Sequence, residues 1–261
     1  MQDTVSLLVP FYKPVGKTPL QCVEEYKSKH RLDPSITVSY AGRLDPMAEG
    51  VLLLLVGDAN KKRREYEHLP KEYEVTVLVG FATDTGDLMG KLIMSNDQLR
   101  ITNKRKQLGE VISSFVGLVE QRYPCYSSAK VQGKPLYWWA RQGRLNEIEI
   151  PTHMVQIDKI ILISEDDEIT NETLLQYIVA SVGNVKGDFR QDEIIAKWQE
   201  TLETDDNSII HSIFTLRITC GSGTYMRQLV ADIGEKLNIP LVAIKIKRTK
   251  VGEYKLEDCV K

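Results

Sequence analysis

The chain has 261 residues, of which 42% are hydrophobic and 27% charged, with a net charge of −2. These values are ordinary for a soluble globular protein, and the apolar runs are too short to reach the roughly 20 residues of a membrane helix. The N-terminus lacks a secretory signal, and the four cysteines are dispersed, which argues against a zinc site or a disulfide framework and fits a reducing cytoplasm.

Hydrophobic patterning predicts strands and helices interspersed along the chain without a regular βαβ rhythm. The predicted strands span residues 6–10, 51–56, 72–80, 155–163, 211–220 and 241–248. The predicted helices span residues 20–29, 103–115, 135–142, 172–180 and 191–201, and a last helix is capped by Thr224 and runs through Leu237. The pattern favours a single α+β domain over residues 1–261, with a mixed, largely antiparallel sheet flanked by helices.

Charged residues cluster although the net charge is small. Basic runs lie at residues 61–64, 104–106 and 245–250, and acidic runs at 165–168 and 203–206. Each run alone is typical of a solvated surface. A local basic face can nevertheless engage phosphates while acidic loops lie elsewhere, so nucleic-acid binding stays open.

Asp45 lies in a tightly turned loop ahead of an apolar strand. Gly42 can adopt backbone angles closed to other residues, and Pro46 pushes Asp45 out of the helical region. The apolar run at residues 51–56 predicts a strand covered on both faces, which anchors the loop. A carboxylate held this way has a restricted direction, as a nucleophile or general base requires. In an isolated L-D-P turn it would only bond nearby amides.

The wider pattern G-x-L-D-P-x-A-x-G-x-L, at residues 42–52, resembles the catalytic loop of the TruB family of RNA pseudouridine synthases. Further blocks follow in the family's order. They are K-P-x-G-x-T at 13–18, K-x-Y at 71–73, T-D-T-G-D at 83–87, S-A-K-V-Q-G-K-P-L-Y-W-W-A-R at 128–141, G-T-Y-M-R at 223–227 and D-x-G at 232–234. Several ordered blocks make chance resemblance improbable, although residues 160–210 carry little of it.

The resemblance implies the pseudouridine synthase fold and the isomerisation of uridine to pseudouridine in RNA without a metal or cofactor. The usual target is position 55 in the T-loop of tRNA. Asp45 matches the catalytic aspartate, Arg227 the arginine that pairs with it, and Tyr73 the tyrosine that stacks on the uracil. A guanidinium suits that pairing because it stays charged and can bond both carboxylate oxygens. The implied substrate-binding residues are Tyr40, Arg43, Lys13, Lys71 and Lys130.

Two departures from the family pattern bear on the substrate. Tyr40 stands where TruB enzymes usually carry a histidine, and Arg43 makes an R-L-D sequence that is typical of two ribosomal-RNA pseudouridine synthase families. TruB enzymes usually add an RNA-binding PUA domain after the segment matching residues 248–252. The sequence ends at Lys261, so the expectation is a chain without that domain.

Two other functions remain open at this stage. The same scaffold could serve as an RNA chaperone or binding protein, and Asp45 with Glu49 could form the carboxylate pair of a glycosidase. Asp84 and Asp87 are interpreted as residues that order their glycine-containing loop. The expected partner is RNA, most simply tRNA, and the protein is expected to be a cytoplasmic monomer.

Overall fold

The computed structural model describes residues 6–96, 99, 101, 105–203 and 209–261, apart from the side chains of 165 and 166. The strands are β1 Ser6–Lys13, β2 Val38–Ala41, β3 Ala48–Gly57, β4 Lys71–Val79, β5 Phe81–Thr83, β6 Leu92–Ser95, β7 Gly117–Arg122, β8 Lys130–Val131, β9 Lys134–Pro135, β10 Thr152–Thr170, β11 Ile210–Cys220, β12 Leu241–Val251 and β13 Tyr254–Lys255. The helices are α1 Pro19–Lys29, α2 Arg63–His68, α3 Arg105–Ser113, α4 Leu136–Arg141, α5 Asn171–Gly183, α6 Gln191–Leu202 and α7 Met226–Leu237.

A central sheet has the strand order β1-β3-β12-β4-β11-β10-β7, with β2 added on β3 and β13 on β12. Among the described strand pairs, only β3 and β12 run parallel. β12 therefore lies between β3 and β4 in the sheet, although β4 is the next strand after β3 in the sequence. The predicted α+β fold with a mixed, largely antiparallel sheet is confirmed.

Helices cover the sheet on both faces. One cluster packs residues of β4 and β11, such as Val75 and Leu216, against α3 and α7. On the opposite face, Val242 and Ile244 of β12 pack with Trp198 of α6 and with α5. Because alternate residues of a strand face opposite sides, β4 and β12 contribute to both clusters.

β3 is buried on both faces, as its sequence predicts. Leu52, Leu54 and Val56 pack with α1, while Val51, Leu53 and Leu55 pack on the other side. All six are at most 1% exposed. The loop before β3 is consequently anchored on one of the most deeply buried strands of the protein.

The remaining predicted elements occur with shifted ends. The largest shift is in β10, which continues to Thr170 through three register irregularities that an alternation pattern cannot follow. Residues 103 and 104, at the start of the helix predicted over 103–115, lie outside the described residues, as do 204–206 of the second acidic run. The short strands β2, β5 to β9 and β13 and the short helix α2 were not predicted.

The predicted N-cap at Thr224 is wrong. The Thr224 hydroxyl donates to the carbonyl of Gly221 (3.2 Å), and α7 begins at Met226. Ahead of the helix, the buried Gln121 side chain accepts from the Tyr225 N–H (2.9 Å) and donates to its carbonyl (3.1 Å). A side chain 104 residues away thus holds the N-cap residue Tyr225, and α7 has no side-chain cap.

Gly50 is required where β3 and β12 meet. Its φ is +113°, and a Cβ built there would lie 2.2 Å from the carbonyl oxygen of Arg248. We expect Gly50→Ala to destabilise the protein by roughly 2 to 6 kcal/mol, which combines about 1 to 3 for strained backbone with about 1 to 3 for overpacking.

Chemical denaturation of Gly50→Ala and of a matched control, Gly109→Ala, measures this effect. Gly109 lies in α3 with open space at its Cβ, so the control should be unchanged or stabilised by up to about 1 kcal/mol. Equal stabilities for the two variants would contradict the argument.

Candidate active site

A cleft of about 1020 Å³ opens beside the loop that precedes β3. Its walls come from segments far apart in sequence. They are residues 42–46 and 48, the end of α2, the start of β4, residues 85, 87 and 89, residues 126–128, part of α4, residues 188–190, residues 221–227 and part of β12. The cleft therefore exists only when both halves of the chain are folded together.

Asp45 and Arg227 meet in this cleft. The Arg227 Nε donates to Asp45 Oδ2 (2.8 Å), and one terminal nitrogen donates to the Thr85 carbonyl (2.9 Å). The Arg227 side chain is 5% exposed and that of Asp45 is 42% exposed. The guanidinium is thus fixed inside the protein, while part of the carboxylate stays open to a ligand in the cleft.

Asp87 is the second carboxylate on this arginine. Its Oδ2 lies 3.4 Å from Arg227 Nε, and its Oδ1 accepts from the Thr85 hydroxyl and the Met89 N–H. Burial raises the pKa of Asp87, and Arg227 opposes this rise. Burial alone would lower the pKa of Arg227, but Asp45 and Asp87 outweigh it and raise that pKa, so the guanidinium stays charged.

Arg248 braces the backbone of the Asp45 loop. It is 1% exposed, and its guanidinium donates to the carbonyls of Val51 (2.7 Å), Arg43 (3.0 Å) and Gly42 (3.5 Å). The basic run at 245–250 is therefore not uniformly a solvated surface, because its arginine is buried. Charge patterning cannot separate a buried arginine from an exposed one.

Tyr73 lies on β4 with its side chain in the cleft wall. It is 8% exposed and packs in the cluster beneath α7. Burial raises the pKa of Tyr73, and Asp45 contributes to the rise, so the phenol is neutral and within electrostatic reach of Asp45. The ring combines an apolar body with an edge open to the cleft.

The two N-terminal lysines predicted to bind substrate are buried. Lys13 is fully buried, and its ammonium donates to the carbonyls of Lys17 (2.6 Å), Pro14 (3.0 Å) and Pro46 (3.3 Å). Its three donors are used within the protein, which does not support a direct contact with RNA, and the substrate-binding role of Lys13 stays a prediction. Burial lowers its pKa to about 8. Lys13 instead ties β1 to the loop that carries Asp45.

Lys71 lines the cleft but is mostly covered. Its ammonium donates to the carbonyls of Glu67 and Leu69, both at 2.6 Å, and burial lowers its pKa to about 8. One N–H remains for a ligand. Its substrate-binding role stays a prediction.

The other predicted contacts fall at different places. Arg43 is exposed and lines the cleft. Lys130, also exposed, lies in the β8–β9 hairpin outside the residues that line it. Tyr40 is half-buried on β2, where its ring packs toward α1 and lies 5.7 Å below the guanidinium carbon of Arg63. The structure therefore brings Arg43, but not Tyr40 or Lys130, to the cleft wall.

Glu49, the partner in the glycosidase alternative, points elsewhere. It accepts from the Tyr12 hydroxyl (2.5 Å), lies 3.6 Å from the Lys245 ammonium, and is absent from the cleft wall. The second carboxylate near Asp45 is Asp87, and Arg227 lies between them. This arrangement does not place two carboxylates across a bound sugar.

Arg190 is a cleft residue that the sequence did not indicate. It donates to both oxygens of Asp84 (2.7 and 3.2 Å) and lies 4.5 Å above the Tyr126 ring. Nothing in its local sequence marks it, because its partners lie 106 and 64 residues away.

The fold is shared with solved structures at low sequence identity. Over 95% of this chain, a chain in the crystal structure of a Cbf5-Nop10-Gar1 complex matches with a TM-score of 0.56 and 16% identity. A chain in an H/ACA RNP bound to a substrate RNA containing 2′-deoxyuridine gives 0.53 and 15%. The present chain spans about half the length of those chains, 49% and 48%. These matches show that the chain shares its α+β fold with those proteins.

Sequence comparison identifies the family to which the chain belongs. Residues 29–185 match the family described as TruB family pseudouridylate synthase (N terminal domain). A tRNA pseudouridine synthase B of Bacillus cereus is 31% identical over 97% of this chain and 68% of its own length, and one of Oceanobacillus iheyensis is 30% identical over the same shares. The chain belongs to the TruB family.

No helix in the described part of the chain is long and apolar enough to cross a membrane.

Proposed function

We propose that this protein converts uridine to pseudouridine in RNA, with Asp45 as the catalytic carboxylate. The observation that carries the proposal is a half-exposed aspartate fixed by a buried arginine in a cleft of about 1020 Å³. The reaction breaks the bond between uracil N1 and the ribose, turns the base and rejoins it through C5. The atoms of product and substrate are the same, so no oxidant or second substrate is required.

The three site residues have different roles in the proposed reaction. Asp45 supplies the carboxylate that acts on the uridine, either on the base or on the sugar. Arg227 directs that carboxylate at the cleft, because its guanidinium is fixed and places a positive charge 2.8 Å from Asp45 Oδ2. Tyr73 packs against the uracil, a role that suits a neutral, largely buried ring with one edge in the cleft.

Charge in the cleft fits an RNA strand. Arg43 is exposed on its wall, and the basic run at 61–64 lies on and before α2, whose Glu67 and His68 also line the cleft. Within that run Lys61 and Arg63 already pair with Asp58 and Glu67, both at 2.8 Å. Phosphates entering along this side would therefore meet mainly Arg43, Lys62 and Arg64, although the chain as a whole is slightly acidic. This local field favours RNA over a small nucleoside as substrate.

The proposed RNA is tRNA, with a T-loop uridine as the target. Relatives that cover 97% of this chain carry the name tRNA pseudouridine synthase B. Incubation with a T-arm stem-loop, intact tRNA and ribosomal RNA, followed by chemical mapping of pseudouridine, tests the proposal. Product at one T-loop uridine supports it. Product only in ribosomal RNA would change the substrate, and RNA binding without any product would favour the chaperone alternative. Light scattering would check the predicted monomer.

Tyr40→His is expected to leave activity within about threefold of wild type, because the ring packs toward α1 and does not line the cleft. Initial rates on a T-arm stem-loop measure this, with Tyr40→Phe as a control that keeps the packing. Complete loss of activity in Tyr40→His alone would contradict the prediction and would indicate that the hydroxyl or ring contacts the RNA.

A further inference from the structure

The loop between α5 and α6 supplies part of the cleft wall. Its residues Asp188, Phe189 and Arg190 line the cleft, and Phe189 also packs against the α5–α6 core. Arg190 lies beyond residue 185, where the match to the TruB family ends. The helical pair therefore does more than cover the sheet, because its connection reaches the catalytic cleft.

Arg190 joins three separate segments of that wall. Its two bonds to Asp84 hold the turn after β5, and its guanidinium packs on Tyr126, whose hydroxyl donates to the same carboxylate (3.3 Å). The Arg190 and Asp84 side chains are only 20% and 25% exposed. Such a two-point arginine–carboxylate contact fixes direction as well as distance.

The backbone at Arg190 is held in an unusual conformation. Its φ of 65° and ψ of 28° lie in the left-handed region, which non-glycine residues rarely adopt. The conformation directs the side chain from the start of α6 to the Asp84 turn. Contacts that outweigh this backbone cost, of about 1 to 3 kcal/mol, are frequent at functional sites.

The turn that Arg190 holds is the one that positions Arg227. The Asp84 carboxylate and N–H both bond to the backbone of Lys91, which closes the turn. Within it, the Thr85 carbonyl accepts from Arg227, and Asp87 lies 3.4 Å from the same guanidinium. A single contiguous set of contacts therefore leads from Arg190 through the turn to Arg227 and Asp45.

We propose that Arg190 is a positioning residue for the pseudouridine synthase reaction. Its bond to Asp84 fixes the 84–91 turn, and the turn fixes the Arg227 guanidinium against Asp45. This inference rests on the proposed function. Because Arg190 acts through the turn, its loss lowers the rate of the chemical step and leaves RNA affinity nearly unchanged.

The test compares kcat and KM on a T-arm stem-loop for wild type and Arg190→Asn. Asparagine tolerates the left-handed backbone, so this variant removes the guanidinium without adding strain. The expected result is a kcat about 10- to 100-fold lower, the range for a catalytic group displaced by roughly 1 Å. KM and the binding constant should change less than about twofold. Arg190→Lys keeps one charged contact and should recover part of the rate.

Two controls separate positioning from general stability. Arg217→Ala removes another arginine–carboxylate pair, with Glu74, from the sheet face opposite Tyr73, and should leave kcat unchanged. Asp84→Asn should lower kcat, and combining it with Arg190→Asn should add little, because both break one contact.

A normal kcat in Arg190→Asn would overturn the inference, as would a raised KM with unchanged kcat, which would place Arg190 in RNA binding. Strict additivity with Asp84→Asn would also overturn it. An inactive wild-type protein on all three RNAs would instead overturn the proposed function itself, and this outcome is separate from an active wild type with an unaffected variant.

Discussion

Asp45→Asn is expected to lower pseudouridine formation by about 10⁴-fold, the upper range for removing one acid–base or nucleophilic group. The amide keeps the size and the hydrogen-bonding oxygen of the carboxylate but has neither its charge nor its nucleophilicity. Single-turnover assays on a T-arm stem-loop measure the loss, and filter binding should give a dissociation constant close to that of wild type.

The Asp45→Asn fold should be retained. Arg227 keeps Asp87 as a charged partner at 3.4 Å and the Thr85 carbonyl as an acceptor, so no buried charge is left alone. We expect a stability change of about 1 kcal/mol, the net worth of one hydrogen bond. Glu49→Gln is the matched control, because Glu49 lies in the same segment but outside the cleft wall. Turnover by Asp45→Asn near the wild-type rate would refute the assignment, and inactivity of Glu49→Gln would revive a two-carboxylate mechanism.

Arg227→Ala should damage both activity and stability. Without the guanidinium, Asp45 loses the partner that orients it, and activity should fall by about 10² to 10³-fold, as when one preorganised electrostatic group is removed. Asp87, 5% exposed, would be left as a buried carboxylate without its cation. Breaking a buried pair from one side costs about 3 to 5 kcal/mol.

A second substitution tests the cause of the instability. Adding Asp87→Asn to Arg227→Ala removes the unpaired charge and should recover part of the lost free energy of unfolding, while activity stays low. Arg217→Ala, which breaks the partly exposed pair with Glu74, should cost about 1 kcal/mol or less. Equal stability for Arg227→Ala and Arg217→Ala would contradict a buried-charge explanation.

The stability deficit of Arg227→Ala should also depend on pH. Burial already raises the pKa of Asp87, and Arg227 lowers it, so the variant should raise it further. A group whose pKa is higher in the folded state binds protons preferentially in that state. Its stabilising contribution to the free energy of unfolding is therefore present at low pH and is lost as pH rises through the folded pKa. The deficit relative to wild type should therefore be smaller near about pH 5 than at about pH 8.

Local patterns predict much of the fold because burial and alternation coincide. β3 follows from an apolar run that is buried on both faces, and β4 follows from alternation, with the apolar face from Tyr73 to Val79 packed in the core. The pairing of Asp45 with Arg227 spans 182 residues and came only from the family resemblance. Periodicity cannot bring together groups that far apart.

Lysine and arginine residues explain most of what the sequence could not predict. Lys13 and Arg248 belong to segments that look like RNA-binding charge, yet both are buried and bond to backbone carbonyls. Whether a long cationic side chain meets phosphate or carbonyl depends on the tertiary fold. The contacts of Arg190 could not be predicted for a related reason, because its two partners are remote in sequence.

Because β12 lies between β3 and β4, the central sheet can be completed only late in the synthesis of the chain. The Asp45 loop is braced by Arg248, 205 residues after the Arg43 carbonyl that it bonds. At about 5 to 20 residues per second, a ribosome needs roughly 10 to 40 s to make that interval. Until then β4 lacks its β12 partner and residues 48–50 of β3 lack theirs, so these edges are open to wrong pairing. The Asp45 loop of a nascent chain can therefore reach its braced conformation only after residue 248 has been synthesised and has left the ribosome.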